Sequence, residues 1–180
     1  MGRRLEDPSA SDTPLRHLLA FLDSLHGADR ERYLRAAPLA ARRVLFTGRL
    51  DHEELADVLP ACSALVVPST FPEAFGMVAA EAAACGALPV SGGHSGLAEV
   101  SRELAQAVPE ASGWLSFPVD DEAVQALAER LEGWLAAPPE VRRSVRAGLV
   151  DAVRERWSWE RVADGVLAAA QGRLDALLAP

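Results

Sequence analysis

ALVVPSTFPEAFGMVAAEAAACGALPVSG, residues 64–92, decides how this chain folds. ALVVPS (64–69) and LPVSG (88–92) are short apolar runs rich in β-branched residues and bounded by Pro, Ser and Gly, as strands are. Between them, Met77 to Cys85 reads as an alanine-rich helix, stopped by Gly86 in the position expected after a C-cap. STFPEAFG forms the loop that leads into it. Strand, loop, helix and strand in that order describe a parallel βαβ unit.

The same alternation continues on both sides. RVLFTG (43–48) and WLSFP (114–118) are two more strand-like runs. Asp51 with Glu54 forms a capping box that opens a helix toward Val58. Val124, Leu127, Ala128, Leu131 and Leu135 mark one face of a helix that starts after an Asp120 cap. Pro138 and Pro139 begin another helix, which runs to about Trp157. Ser158 caps the last one, with Trp157 and Val162 placed for a hydrophobic staple. The expected order is βαβαβαβ followed by helices, an α/β fold with a parallel sheet covered on both faces. Upstream, leucines 15, 18, 19, 22 and 25 recur at helical spacing, and a second short helix covers Arg30 to Ala37. Residues 1–42 thus form a helical segment, of which 1–12 read as a disordered start, and 43–180 form the α/β domain.

Composition narrows the function. The chain has 180 residues, 49% apolar and 24% charged, with a net charge of −8. That charge disfavours a nucleic-acid or anionic-membrane surface, which is bound through Lys and Arg. All 18 basic residues are arginine, so no chemical step can use a lysine. Cys62 and Cys85 lack metal-site spacing and read as buried free thiols of a reducing cytosol. The first residues lack the apolar core of a signal peptide, and no apolar run is long enough to span a bilayer. The expected location is cytoplasmic.

Residues 71–96 hold two formally charged side chains, Glu73 and Glu81. Glu73 falls in the loop over the strand end, where α/β folds place their ligands. Gly76 falls at the helix start, where a missing Cβ lets a ligand approach bare N–H groups suited to phosphate. Glu81 lies one turn further along, among apolar neighbours. Buried there it needs donors, and the vicinal hydroxyls of a sugar would supply two.

The residues from Pro68 to Glu99, PSTFPEAFGMVAAEAAACGALPVSGGHSGLAE, resemble the donor-binding segment of retaining glycosyltransferases of the two-domain GT-B architecture, especially family four and the related glycogen synthases. Glu73 and Glu81 match that family's pair of glutamates eight positions apart. RVLFTGRLDHEELADVLPAC (43–62) and, more loosely, the WSWERVA segment (157–163) are similar to its flanking segments. The resemblance implies a Rossmann-like domain that binds a UDP-, ADP- or GDP-sugar, with no further cofactor and no metal. It implies that Glu73 contacts the donor sugar near the reacting carbon, so Glu73 is the candidate catalytic residue. The backbone of Phe75, Gly76 and Met77 would hold sugar hydroxyls, with Met77 and Val78 along the phosphates. Glu81 would accept from the ribose hydroxyls, and Gly48 and Arg49 would lie beside the base.

Departures from the family pattern matter as well. The family's amino-terminal acceptor domain and the Arg/Lys loop for the diphosphate have no counterpart here, so the chain resembles the carboxyl-terminal half to two-thirds of a donor domain. Ala74 replaces a common proline, and Ser95 stands where the first glycine of a Gly-Gly-Leu-x-Glu turn is usual, while Gly96, Leu97 and Glu99 match. The expectation is a donor domain inactive alone, needing a second chain for the acceptor half. The alternative is a non-catalytic assembly module that oligomerises, for instance as a homodimer, through an exposed sheet edge. A response-regulator-like domain would want a phosphoacceptor pocket and a later lysine.

Other features have plainer readings. Asp120, Asp121 and Glu122 read as a helix cap with first-turn acids, not a metal cluster. His94 reads as a turn histidine in solvent, with the donor phosphates as its other option. The four tryptophans read as helix packing, and Arg142 with Arg143 as a solvated helix face. GHSGL is not a nucleophile elbow, because Leu97 stands where that motif has glycine.

Overall fold

A computed structural model describes residues 13–176. It divides into two compact units that meet in sequence between Arg49 and Leu50. Residues 1–12, expected to be disordered, lie outside the described residues.

The first unit contains α1 (Thr13–Ser24) and α2 (Gly27–Arg43). Phe21 of α1 meets Tyr33 of α2 edge to face, ring centroids 5.9 Å apart. α2 runs well beyond Ala37, through Pro38, and this extension removes the first expected strand. Val44 becomes the C-cap of α2, its N–H donating to Ala40 O at 2.8 Å, and Gly48 turns the backbone out of extension with φ +73°. RVLFTG is therefore coil, with Leu45 85% and Phe46 92% exposed.

The second unit holds α3 (His52–Val58), β1 (Ala64–Val67), α4 (Met77–Ala84), β2 (Leu88–Gly92), α5 (Ser95–Ala107), β3 (Ser116–Phe117), α6 (Ala123–Ala136), α7 (Pro139–Trp157) and α8 (Trp159–Ala170). The expected capping box forms at α3: Asp51 Oδ1 accepts from Glu54 N–H, and Glu54 Oε2 accepts from Asp51 N–H, both at 2.9 Å. The sheet is parallel, in the order β1-β2-β3, with Ala64 opposite Leu88 and Ser91 opposite Ser116. It is a Rossmann-like α/β arrangement, one strand shorter than expected.

β2 is buried along its whole length. Because successive side chains point to opposite faces, both faces of the sheet are covered at its centre. α4 packs on β1 and β2, α5 on β2, and α7 lies against both helices, while α6 covers β2 and β3. Alanine makes the closest layer possible: Ala79, Ala80, Ala82 and Ala83 of α4 are buried. Leu88, Val90, Leu97, Leu104, Leu115, Trp134 and Leu149 complete the core. The full burial of such side chains contributes roughly 1.5–3 kcal/mol each.

Several details differ from the expected pattern. In α6 the inward residues are Ala123, Ala126, Leu127, Leu131 and Trp134, while Val124 and Leu135 face solvent. Trp134 sets this rotation: its ring is fully buried, and its Nε1–H donates to Ser63 O at 2.8 Å. Asp120 does not cap α6 directly; its carboxylate accepts from Glu122 N–H just ahead of the helix. Ser158 does cap α8, accepting from Arg161 N–H, but Val162 is exposed and Trp157 packs edge-on against Phe75 at 5.4 Å. Trp114 and Trp134 pack as expected, at 5.4 Å, whereas Trp159 is exposed. Cys62 and Cys85 are free thiols, half-buried and not fully enclosed.

Candidate functional site

The loop between β1 and α4 is held from one side by the turn between β2 and α5. Gly96 N–H donates to Glu73 O at 2.9 Å, and Glu73 N–H donates to Ser95 Oγ at 3.0 Å. Ser95 Oγ lies 3.0 Å from His94 Nδ1, and His94 Nε2 lies 2.7 Å from Ser69 O. A Cβ added at Gly96 would come within 2.5 Å of the Phe75 backbone, so only glycine allows the two segments to lie this close. Gly76, at φ +82°, is the N-cap of α4 and abuts Leu97, whose Cδ2 an added Cβ would meet at 2.8 Å.

These bonds gather the carboxyl ends of β1 and β2 into one rim. Glu73 stands on it half-buried, and its carboxylate has no hydrogen-bond or ion-pair partner among the described residues. Behind it, the N–H groups of Met77 and Val78 open α4, and first-turn groups have no acceptor within their helix. The positive end of the helix dipole lies there as well. Phe75, Met77 and Val78 are exposed, at 39%, 61% and 48%, and leave apolar surface beside the rim.

Glu81 differs from its expected setting. Its side chain is 36% exposed rather than enclosed, and its Oε1 lies 3.9 Å from Nδ1 of the exposed His52. The alanines around it point into the core, and Glu81 stands toward solvent on the same helix. Its charge acts on Cys85, whose thiol is pushed up from its ordinary 9.0, first by burial and then by the Glu81 carboxylate.

Gly48 and Arg49 end the first unit in coil, not at the end of a strand. The structure thus joins Glu73, Phe75, Gly76, Met77, Val78 and Glu81 in one loop and helix of the second unit. His94 is not a free turn histidine: both of its ring nitrogens are engaged and its side chain is half-buried. Ser95, a departure from the family's glycine turn, is the residue that receives the Glu73 N–H. The signal available in the sequence was the His-Ser pair set between Gly93 and Gly96.

Two cavities lie elsewhere. One of about 630 Å³ opens between α5, α7 and the start of α8, lined by Glu103, Arg156, Trp157 and Arg161 among others. The other, of about 300 Å³, is lined by Ser63, Trp134, Pro139, Arg142, Arg143 and Arg146. Arg146 donates to the carbonyls of Pro60 and Cys62; of the pair expected on a solvated face, Arg143 is exposed and Arg142 is half-buried. Neither cavity includes Glu73 or Glu81. Among the described residues there is no cluster able to hold a metal, and no helix is long and apolar enough to cross a membrane.

Comparison with known proteins agrees with the α/β fold. Residues 18–148 match the family model of glycosyl transferases group 1. A D-inositol 3-phosphate glycosyltransferase of Segniliparus rotundus is 38% identical over 121 residues, 67% of this chain and 24% of that protein. Proteins of the same name from Rhodococcus opacus and Stackebrandtia nassauensis are 33% and 35% identical, over 71% and 80% of this chain and 26% and 30% of their own. The chain therefore spans about a quarter of the length of the relatives it matches. No solved structure matches it significantly.

Proposed function

Because this chain belongs to the glycosyl transferases of group 1, we propose that its second unit is a donor-binding domain, which takes a nucleoside-diphosphate sugar on the rim of β1 and β2. One observation carries the reading: an unpartnered carboxylate, Glu73, is fixed by its own backbone beside the open amino end of α4. A diphosphate at the N–H groups of Met77 and Val78 meets the helix dipole and bare donors. The sugar then lies toward Glu73, and Glu81 one turn along accepts from ribose hydroxyls. Its partial exposure suits this role, because a carboxylate that keeps some water loses less on exchanging it for hydroxyl donors. Stabilising the departing diphosphate by fixed N–H dipoles is the chemical contribution of such a rim. Retention at the sugar carbon is the expected stereochemistry. The acceptor would be bound outside this unit, so the unit alone binds donor without transferring it.

Calorimetric titration with UDP-glucose, ADP-glucose and GDP-mannose tests this. Wild type should bind at least one, and Glu81→Gln should weaken that ligand about tenfold, the effect of one lost charged hydrogen bond. Binding by none of the three, or equal binding by the variant, refutes the reading.

A second reading has its own support. Among the described residues β1 and β3 each leave one edge without a partner in the sheet, and Leu45 and Phe46 stand exposed in an apolar segment. Such features favour an assembly module that pairs with a second chain or another copy of itself.

A further inference from the structure

The geometry points to His94 and Ser95 as a latch that holds the β1–α4 loop in its donor-binding position. The inference rests on the donor-binding reading and adds the residues that position it. Ser69 O can only accept, so the 2.7 Å contact requires the proton on His94 Nε2. With Nδ1 as the acceptor, Ser95 O–H donates to it. Ser95 Oγ, its proton committed, accepts from Glu73 N–H. Each group has one role, and the bonds run in one direction: Glu73 N–H to Ser95, Ser95 to His94, His94 to Ser69.

The latch thus grips the loop twice, at its beginning through Ser69 and next to the unpaired carboxylate through Glu73. Gly96 N–H to Glu73 O provides a third hold from the same turn. Ser95 keeps φ +48°, the one non-glycine residue in the left-handed region among those described. Holding serine there strains the backbone, although glycine would fit without strain. What serine adds over glycine is the hydroxyl, and the hydroxyl connects the loop to the histidine. The pair does not form a nucleophile and base: the adjacent Gly96 N–H, the natural oxyanion donor, is committed to Glu73 O. His94 and Ser95 are positioning residues.

The test uses the full chain and two variants. Ser95→Gly relieves the backbone while deleting the hydroxyl, and His94→Phe keeps ring volume while deleting both nitrogens. Nitrogen-15 spectra should show the His94 proton on Nε2 in wild type. Hydrogen exchange should be about tenfold faster at the Glu73 amide in either variant, the equivalent of one lost hydrogen bond. The core amides of Val90 and Leu104 should keep their wild-type rates. Calorimetry with the same three nucleotide sugars should show a similar loss of affinity in both variants. A proton on Nδ1, an unchanged Glu73 exchange rate, or fast exchange with undiminished affinity would each overturn the latch. If wild type binds no nucleotide sugar, the donor reading fails, while the tautomer and exchange results still decide whether the loop is latched.

Discussion

Cys85 follows Glu81 by one helical turn and closes α4 as its C-cap, so the thiol reports on the carboxylate. Burial raises its pKa first and the Glu81 charge raises it further, both by disfavouring the thiolate. A group whose folded pKa lies above its unfolded one adds stability below the unfolded value, near 9.0, and loses it as the pH rises through the folded value. Removing the charge should lower the onset. In a Cys62→Ala background, iodoacetamide should label Cys85 at lower pH in Glu81→Gln than with Glu81 present, as read by mass spectrometry across pH 7–11 (about the range a raised thiol demands). Identical onsets would mean that the carboxylate does not act on the thiol. The same residue shows where sequence reading reached its limit. Its place on the helix was legible from spacing, but its exposure was not, because exposure depends on which face α7 covers.

At the scale of elements, the βαβ unit was legible because its punctuation is strong: Pro68, Gly76, Gly86 and Gly92 bound runs of different period. RVLFTG has the same composition and failed as a strand, since backbone pairing needs a neighbour and α2 takes Val44 as its cap. The face of α6 is not legible from Val124 and Leu135, because a buried indole with an N–H to satisfy outranks them. The latch was legible only as a His-Ser pair, because its bonds join residues more than twenty positions apart. One element carries a defect that composition could not reveal. Ser91, fully buried in β2, leaves its Oγ without a partner among the described residues. An orphaned hydroxyl costs roughly 1–3 kcal/mol, whereas an apolar group of similar shape does not. Ser91→Ala should therefore keep or raise the urea midpoint, by the equivalent of up to about 1 kcal/mol. A clear fall in the midpoint would show that the hydroxyl is satisfied in solution.

For the whole molecule the open question is what meets the free strand edges. Three strands give a sheet two unpaired sides, and an unpaired side is a template for another chain. The net charge of −8 opposes close approach of copies at low salt, and salt screens it over about 8–10 Å. Leu45 and Phe46 supply an apolar, β-prone segment that is exposed. If that segment pairs with an edge of another copy, self-association should grow with both protein and salt concentration. A Leu45→Glu, Phe46→Glu double variant should then sediment as a monomer where wild type does not. Val124→Glu, which changes a residue equally exposed on α6, controls for general surface polarity. All three proteins should unfold at similar urea midpoints, since surface changes away from packed sites are usually within about 0.5 kcal/mol. Wild type that remains monomeric at high salt would remove the assembly reading and leave donor binding as the function to pursue. A dimer abolished by the double variant alone would place assembly beside it, with the β1–α4 rim still free to take its ligand.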